Sequence, residues 1–317
     1  METKKLTLAL LAGGRSGERQ VSLMGAAGVE KALDGDRYEV LRFDPLTDLA
    51  KIAAAAAEID FAFILLHGLW GEDGTVQGFL DLLDIPYQGA GVTGSALAMD
   101  KNLAKELYRL HGLPVADWRV IAGPDPRFSA AELVAELGLP LVVKPVCDGS
   151  SLGMTIVREE KNLRQAVEKA LVHGGRAMVE RFVAGREITV GVIGNDDPIA
   201  LPLVEIIPGE GFEFFDYDAK YKPGATSEIC PAEVDAEITA RAQEYGVAAH
   251  NALQLRGYSR TDMILSETGE IFLLETNTIP GMTPTSLYPQ AAAAHGLDFG
   301  ALLDRLIALG LEVRGQK

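Results

Sequence analysis

Near the C-terminal end, Asp262, Glu275 and Asn277 are spaced so that their oxygens could hold a divalent cation. Residues 260–266 and 271–277 are predicted to form two strands around a short turn. Alternate side chains of a strand share a face, so Glu275 and Asn277 point the same way. A four-residue hairpin loop over 267–270 pairs Ser266 with Ile271. That register sets Asp262 opposite Glu275 and Arg260 opposite Asn277. Two carboxylates and an amide on one face make a hard oxygen cluster suited to magnesium, an ion usually completed by substrate phosphates. The run 271–274 is apolar on both faces, so the acids end a buried strand and do not decorate an exposed one.

Other candidates for chemistry lie upstream. Lys144 sits in the apolar stretch VVKP, and a buried lysine needs either an acid or a ligand anion beside it. The glycine-rich loop 149–153, which contains Ser150 and Ser151, comes directly after it. Such a loop can wrap phosphates with backbone N–H groups. HGLWGEDGTVQG at 67–78 holds four glycines, which are costly in a packing element. GGRSGE at 13–18 follows a strand and opens a helix but lacks GxGxxG spacing. This argues against a nicotinamide-binding oxidoreductase. Glu18 stands at that helix N-terminus, where a carboxylate also suits the helix dipole.

The elements that must position these residues follow from the hydrophobic pattern. Strands are predicted at 6–12, 38–43 and 61–66, with helices at 21–33 and 52–57. Strands and helices in alternation imply a parallel sheet. A central region has a helix at 102–111, strands at 139–145, 154–157 and 177–182, and a helix at 163–172. Beyond residue 188 the chain is strand-rich, at 188–193, 199–206 and 227–229, with helices at 236–253 and 299–308. Between them, 208–225 is a long polar and aromatic loop, of a length that often serves as a lid.

Composition narrows the function. A chain of 317 residues suggests two or three domains. A net charge of −16 argues against nucleic acid as partner, because phosphate backbones reward Lys and Arg. Two cysteines, Cys147 and Cys230, make no disulfide framework and fit a reducing cytosol. The first apolar run, 6–12, is at the minimum length for a signal peptide and leads into a glycine turn, as a buried strand does. No run approaches a membrane span.

With these motifs in view, residues 260–287 resemble the catalytic end of the ATP-grasp ligases. The continuation NTIPGMTPTSL is similar to the D-alanine–D-alanine ligases within that superfamily. The blocks GG-x-S-x-E with Val21-Ser22-Leu23, HG-x-x-GEDG-x-x-QG, PY-x-G at 86–89 and SALAMDK at 95–101 match the same family in the same order. Gln20, Gln88, Ala90 and Gly94 depart from frequent family choices.

The resemblance implies an α/β fold: an ATP-grasp fold with an N-terminal Rossmann-like parallel-sheet domain. Its expected domains are 1–100, a central lobe at 101–187 and a C-terminal lobe at 188–317. The implied activity is ATP-dependent ligation of two D-alanines through an acyl phosphate, for peptidoglycan precursor synthesis. A related carboxylate–amine or D-alanyl-D-lactate ligase is the alternative. By the same resemblance Glu18, Val21 and His67 hold the first D-alanine. Ser150 joins Glu18 and Tyr221 in a hydrogen-bond set. Lys101, Lys144 and Lys220 meet the ATP phosphates, and Ser151 lies in the loop over them. Glu180, Phe182 and Val183 border the adenine, and Glu187 takes the ribose. Asp262, Glu275 and Asn277 hold Mg2+ or Mn2+, as two ions. Arg260 and the backbone N–H near Gly281 face the oxyanion, and Ser286 and Leu287 hold the second carboxylate. Tyr221 at its position points to a dipeptide product. A cytoplasmic homodimer is also implied.

Overall fold

A computed structural model of the chain describes residues 4–123, 127–147, 149, 153–209 and 226–315. The N-terminal part contains β1 (Leu6–Leu11), α1 (Arg19–Ala32), β2 (Tyr38–Phe43), α2 (Leu49–Ala54), β3 (Phe61–Ile64), α3 (Thr75–Leu82) and α4 (Val92–Met99). Its three strands are parallel in the order β2-β1-β3. Ala9, Leu11, Ala62 and Ile64 pack on one face with Ile52, Val76 and Leu80 from α2 and α3. Leu8, Leu10, Phe61 and Phe63 pack on the other. Burial of both faces is why these strands read as nearly unbroken apolar runs.

The central part contains α5 (Lys101–Leu110), β4 (Trp118–Ala122), α6 (Ala130–Leu137), β5 (Leu141–Pro145), β6 (Thr155–Val157), α7 (Leu163–Leu171) and β7 (Arg176–Arg181). These strands form an antiparallel sheet in the order β4-β7-β5-β6. Leu141, Val143, Ala177 and Val179 pack under α6 and α7. The opposite face carries Trp118, Met178, Glu180 and Lys144.

The third part contains β8 (Gly185–Gly194), β9 (Ile199–Ala200), β10 (Val204–Pro208), β11 (Thr226–Ile229), α8 (Ala236–Ala252), β12 (Gly257–Ser266), β13 (Ile271–Asn277), α9 (Leu287–Ala294) and α10 (Phe299–Gly315). Its sheet runs β11-β10-β8-β12-β13, with β9 paired to β8. Packing crosses between these parts. On α5, Ala104 and Tyr108 join the core of the C-terminal sheet, and Tyr108 donates to Thr276 Oγ1 at 2.6 Å. Leu302, Leu303 and Leu306 of α10 return to cover the N-terminal sheet.

Local expectations needed four corrections. The hairpin loop holds three residues, 267–269: Ser266 N–H donates to the Glu270 carbonyl at 2.8 Å, with Gly269 at φ 82°. Three-residue hairpins commonly end in such a left-handed residue. Leu265, not Ser266, therefore pairs with Ile271, and a bulge between Asp262 and Met263 restores the register that sets Asp262 against Glu275. The strand expected at 199–206 divides into β9 and β10, and β8 starts earlier, at Gly185. The last helix runs on to Gly315. Five elements had no expectation: α3, α4, β4, α6 and α9.

Candidate active site

The site grows from the cleft-facing rows of β8, β12 and β13. Thr189, Asp262 and Glu275 stand in one cross-strand row, and Gly191, Arg260 and Asn277 in the next. Arg260 grips both oxygens of Asp262, at 2.8 Å each. Asn277 Nδ2 donates to Asp262 Oδ2 at 3.0 Å, and the Thr189 hydroxyl donates to Oδ1 at 2.7 Å. Burial works against the Arg260 charge, but Asp262 and then Glu275 and Glu72 outweigh it and hold the guanidinium protonated. Glu275 lies 3.2 Å from Lys101 Nζ.

Lys101 is the first residue of α5. Asp100 caps that helix by accepting from the N–H groups of Asn102 and Leu103, both at 3.0 Å. Lys101 N–H also donates to the Val146 carbonyl at 3.1 Å, which ties the helix start to the end of β5. On the neighbouring face, Lys144 Nζ is 2.7 Å from Glu180 Oε2, while Lys105 is bonded to Oε1 of the same carboxylate. Burial pushes Glu180 up, but Lys105 and Lys144 more than reverse it and keep the group ionised. Burial likewise opposes the Lys144 charge, and Glu180 raises it above the ordinary lysine range.

Across the cleft, Glu18 ends the turn before α1 and is buried. A Cβ placed on Gly149 would come within 2.7 Å of its Oε2, and one on Gly68 within 3.4 Å. Thus Glu18 lies where the first, second and glycine-rich blocks meet. His67 is buried beside it, and burial lowers its pKa despite Glu18, so the imidazole is neutral at neutral pH. Glu72 accepts from Gly68 N–H at 2.8 Å and from Ile279 N–H at 3.1 Å. Burial, reinforced by Glu18, pushes Glu72 up to about 8. Through Ile279 this block is fastened to the 278–286 loop.

In that loop Ser286 begins α9. Its hydroxyl accepts from Thr283 N–H at 3.1 Å and shares a bond with Thr283 Oγ1 at 2.7 Å. A Cβ on Gly281 would come within 3.1 Å of Ser286 Oγ, so backbone and hydroxyl are close there. At the α9 N-terminus the Leu287 N–H is suited to a carboxylate, while the Ser286 N–H donates to the Thr283 carbonyl at 2.9 Å.

The expected site residues group around one cleft: Glu18 and His67 on the N-terminal side, Lys101, Lys144 and Glu180 on the central side, and Arg260, Asp262, Glu275, Asn277, Gly281, Ser286 and Leu287 on the C-terminal side. Val21 is half-buried on the first turn of α1. Phe182 and Val183 are half-buried in the link from β7 to β8, where Phe182 N–H donates to the Pro140 carbonyl at 3.1 Å. Glu187 lies within β8, on the same face as Thr189. Ser150, Ser151, Lys220 and Tyr221 lie outside the described residues. Sequence reasoning did not single out Lys105, Thr189 or Glu72. Lys105 carried a signal, standing one helical turn after Lys101, and Glu72 stood inside the GEDG block.

Along nearly its whole length the chain is similar to proteins of one family. The family model described as D-ala D-ala ligase C-terminus matches residues 107–308, and the D-ala D-ala ligase N-terminus model matches 44–90. The chain is 60% identical over 310 residues to the D-alanine–D-alanine ligase of Desulfotalea psychrophila, covering 98% of this chain and 96% of the relative. It is 58% identical to that of Syntrophobacter fumaroxidans, covering 98% and 100%. The crystal structure of the Bacillus anthracis D-alanine–D-alanine ligase complexed with ATP superimposes with a TM-score of 0.86 at 34% identity, covering 98% of this chain and 99% of that one. VanG D-Ala:D-Ser ligase from Enterococcus faecalis gives 0.82 at 33% identity, covering 96% and 99%. The parallel N-terminal sheet, the two antiparallel sheets beyond it and this likeness along nearly the whole length place the chain in the D-alanine–D-alanine ligase family, with its ATP-grasp fold.

Proposed function

We propose that the chain joins two D-alanines into D-alanyl-D-alanine with ATP as the energy source, releasing ADP and phosphate. The observation that carries this reading is the cleft in which Asp262 and Glu275 face each other across β12 and β13, with Arg260, Lys101 and Lys144 around them.

The γ-phosphoryl group passes to a carboxylate oxygen of the first D-alanine, forming an acyl phosphate and releasing ADP. Such transfer needs mainly positioning and charge stabilisation. Lys101 and Lys144 supply positive charge from the described residues, and Lys220 joins them by resemblance. Glu18 and His67 hold the first D-alanine, with the neutral imidazole adding no charge against its ammonium. Arg260 and the backbone near Gly281 stabilise the oxyanion as the second amine attacks. The carbon–nitrogen bond forms, phosphate leaves and the amine releases a proton. The carboxylate of the second D-alanine rests on Ser286 and Leu287.

The donor set fits a hard cation: two opposed carboxylates, Asp262 and Glu275, and the Asn277 amide oxygen, with no sulfur or imidazole. Asp262, Glu275 and Asn277 would hold Mg2+ or Mn2+, as two ions, and the metal would neutralise phosphate charge. Dipeptide as the product rests on Tyr221, and the homodimer and cytoplasmic location rest on the family likeness. Among the described residues no helix is long and apolar enough to cross a membrane.

The test is phosphate release from ATP with D-alanine, L-alanine or no amino acid, with product analysis in D-serine and D-lactate competition. Release that depends on D-alanine, with dipeptide as the main product, is the expected result. Equal release with L-alanine, or a main product carrying D-serine or D-lactate, would overturn the assignment.

A further inference from the structure

Lys105 is fully buried, an unusual place for a lysine, and stands one turn after Lys101 on the inner face of α5. Its ammonium takes Oε1 of Glu180 while Lys144 takes Oε2. It also lies 5.0 Å from the centroid of the Trp118 ring, and that ring is fixed by Nε1 donating to Asn102 Oδ1 at 2.8 Å. A cation over an indole face is favoured. Burial lowers the Lys105 pKa, and contact with Glu180 works to restore the charge.

A charge count gives this arrangement a meaning beyond packing. If Lys144 alone met Glu180, the two would form a neutral pair with little pull on an anion. With Lys105 on the second oxygen the set carries one positive charge. Lys101 and Glu275 beside it are balanced, so the three lysines and two glutamates together keep that single charge. Building on the ATP-ligase reading, we infer that Lys105 is a positioning residue that frees Lys144 from neutralisation by Glu180, so that the pocket attracts the phosphates of a nucleotide. Lys105 touches no phosphate itself in this arrangement. Its effect is electrostatic and acts through Glu180.

The alternative is a clamp between α5 and β7 with no influence on charge. Binding of adenosine, AMP, ADP and ATP to the full-length protein in magnesium separates the two. With Lys105→Met, the Kd for ATP rises about tenfold, as expected for loss of a nearby charge at intermediate dielectric, while the Kd for adenosine changes less than about twofold. The loss grows with each phosphate, and Lys105→Arg recovers most of it. An equal loss across the four ligands, or none, would overturn the inference. If Lys105→Met no longer unfolds cooperatively, the double variant Lys105→Met with Glu180→Gln decides. It leaves Lys144 as a single positive charge, so the phosphate dependence should match wild type, and a flat series would refute the inference. A wild-type protein that binds adenosine and ATP equally would instead strike at the ATP-ligase reading itself.

Discussion

The two sides of the cleft treat buried acids in opposite ways. On the central and C-terminal side three buried or half-buried acids touch a formal cation: Glu180 has Lys105 and Lys144, Asp262 has Arg260, and Glu275 has Lys101. On the N-terminal side Glu72 is given two backbone N–H groups and the nearby charge of Glu18. Glu180 is consequently held below the ordinary glutamate range, whereas Glu72 is pushed up to about 8. Burial penalises the carboxylate in both places. What differs is direct contact with a positive charge, which recovers the lost solvation more effectively than two amide dipoles facing a second acid. The division suits the proposed chemistry. Phosphate and metal chemistry needs fixed charges, while a site for a zwitterionic amino acid is better served by few charges and by shape.

The comparison can be broken at several points. Glu275→Gln carries the largest expected effect, removing a charge from the paired side. Ligation should slow by about 10² to 10³-fold, the scale for loss of one preorganised electrostatic partner. The fold should survive, because the Glu275 side chain is 27% exposed and Gln keeps its shape. Near-normal turnover in a folded variant would detach Glu275 from the metal site.

Glu72→Gln probes the N-terminal side and gives a change of slope. The folded carboxyl keeps its proton up to about 8, against 4.5 for an ordinary glutamate. Between those values the folded state binds more protons than the unfolded one, so wild-type stability falls as pH rises through that window. The slope lies below about 1.4 kcal/mol per pH unit, the limit for one group. Denaturant midpoints from pH 5 to 8 should therefore fall less in Glu72→Gln than in wild type. Parallel curves would mean that the backbone N–H groups keep Glu72 ionised, and the contrast between the two sides would disappear.

Thr189→Val is the smallest change. It removes the hydroxyl that donates to Asp262 at 2.7 Å and keeps the shape of the side chain. The ligation barrier should rise by about 1 kcal/mol, the usual worth of one hydrogen bond. A steady-state assay would show roughly fivefold slower turnover. No change would mean that Arg260 and Asn277 suffice to orient Asp262.

Much of the site was legible because its blocks are local. Glycines that only a turn could use and acids that end an apolar strand announce themselves within a dozen residues. The hairpin shows how far this reaches. The opposition of Asp262 and Glu275 was expected from alternation and a four-residue loop. The chain arrives there by a three-residue loop and a bulge, two one-residue offsets that cancel. Nothing local to the sequence distinguishes these routes, because both preserve the pairing at the acids and differ only in how the apolar end of the hairpin packs.

The residue order alone determined the parallel first sheet, the opposed acids at the end of β12 and β13, and Lys144 as a lysine needing an anion, since each follows from periodicity or from the cost of burying charge over a few residues. Only the tertiary structure decided that Lys105 is buried and shares Glu180 with Lys144, that Glu72 ties the 67–78 block to Ile279, and that α10 closes the N-terminal sheet. Those outcomes depend on contacts between residues far apart in the chain. A lysine on a helix or a glutamate in a loop looks the same in sequence whether it faces water or a partner, and the choice is made when the three parts pack together.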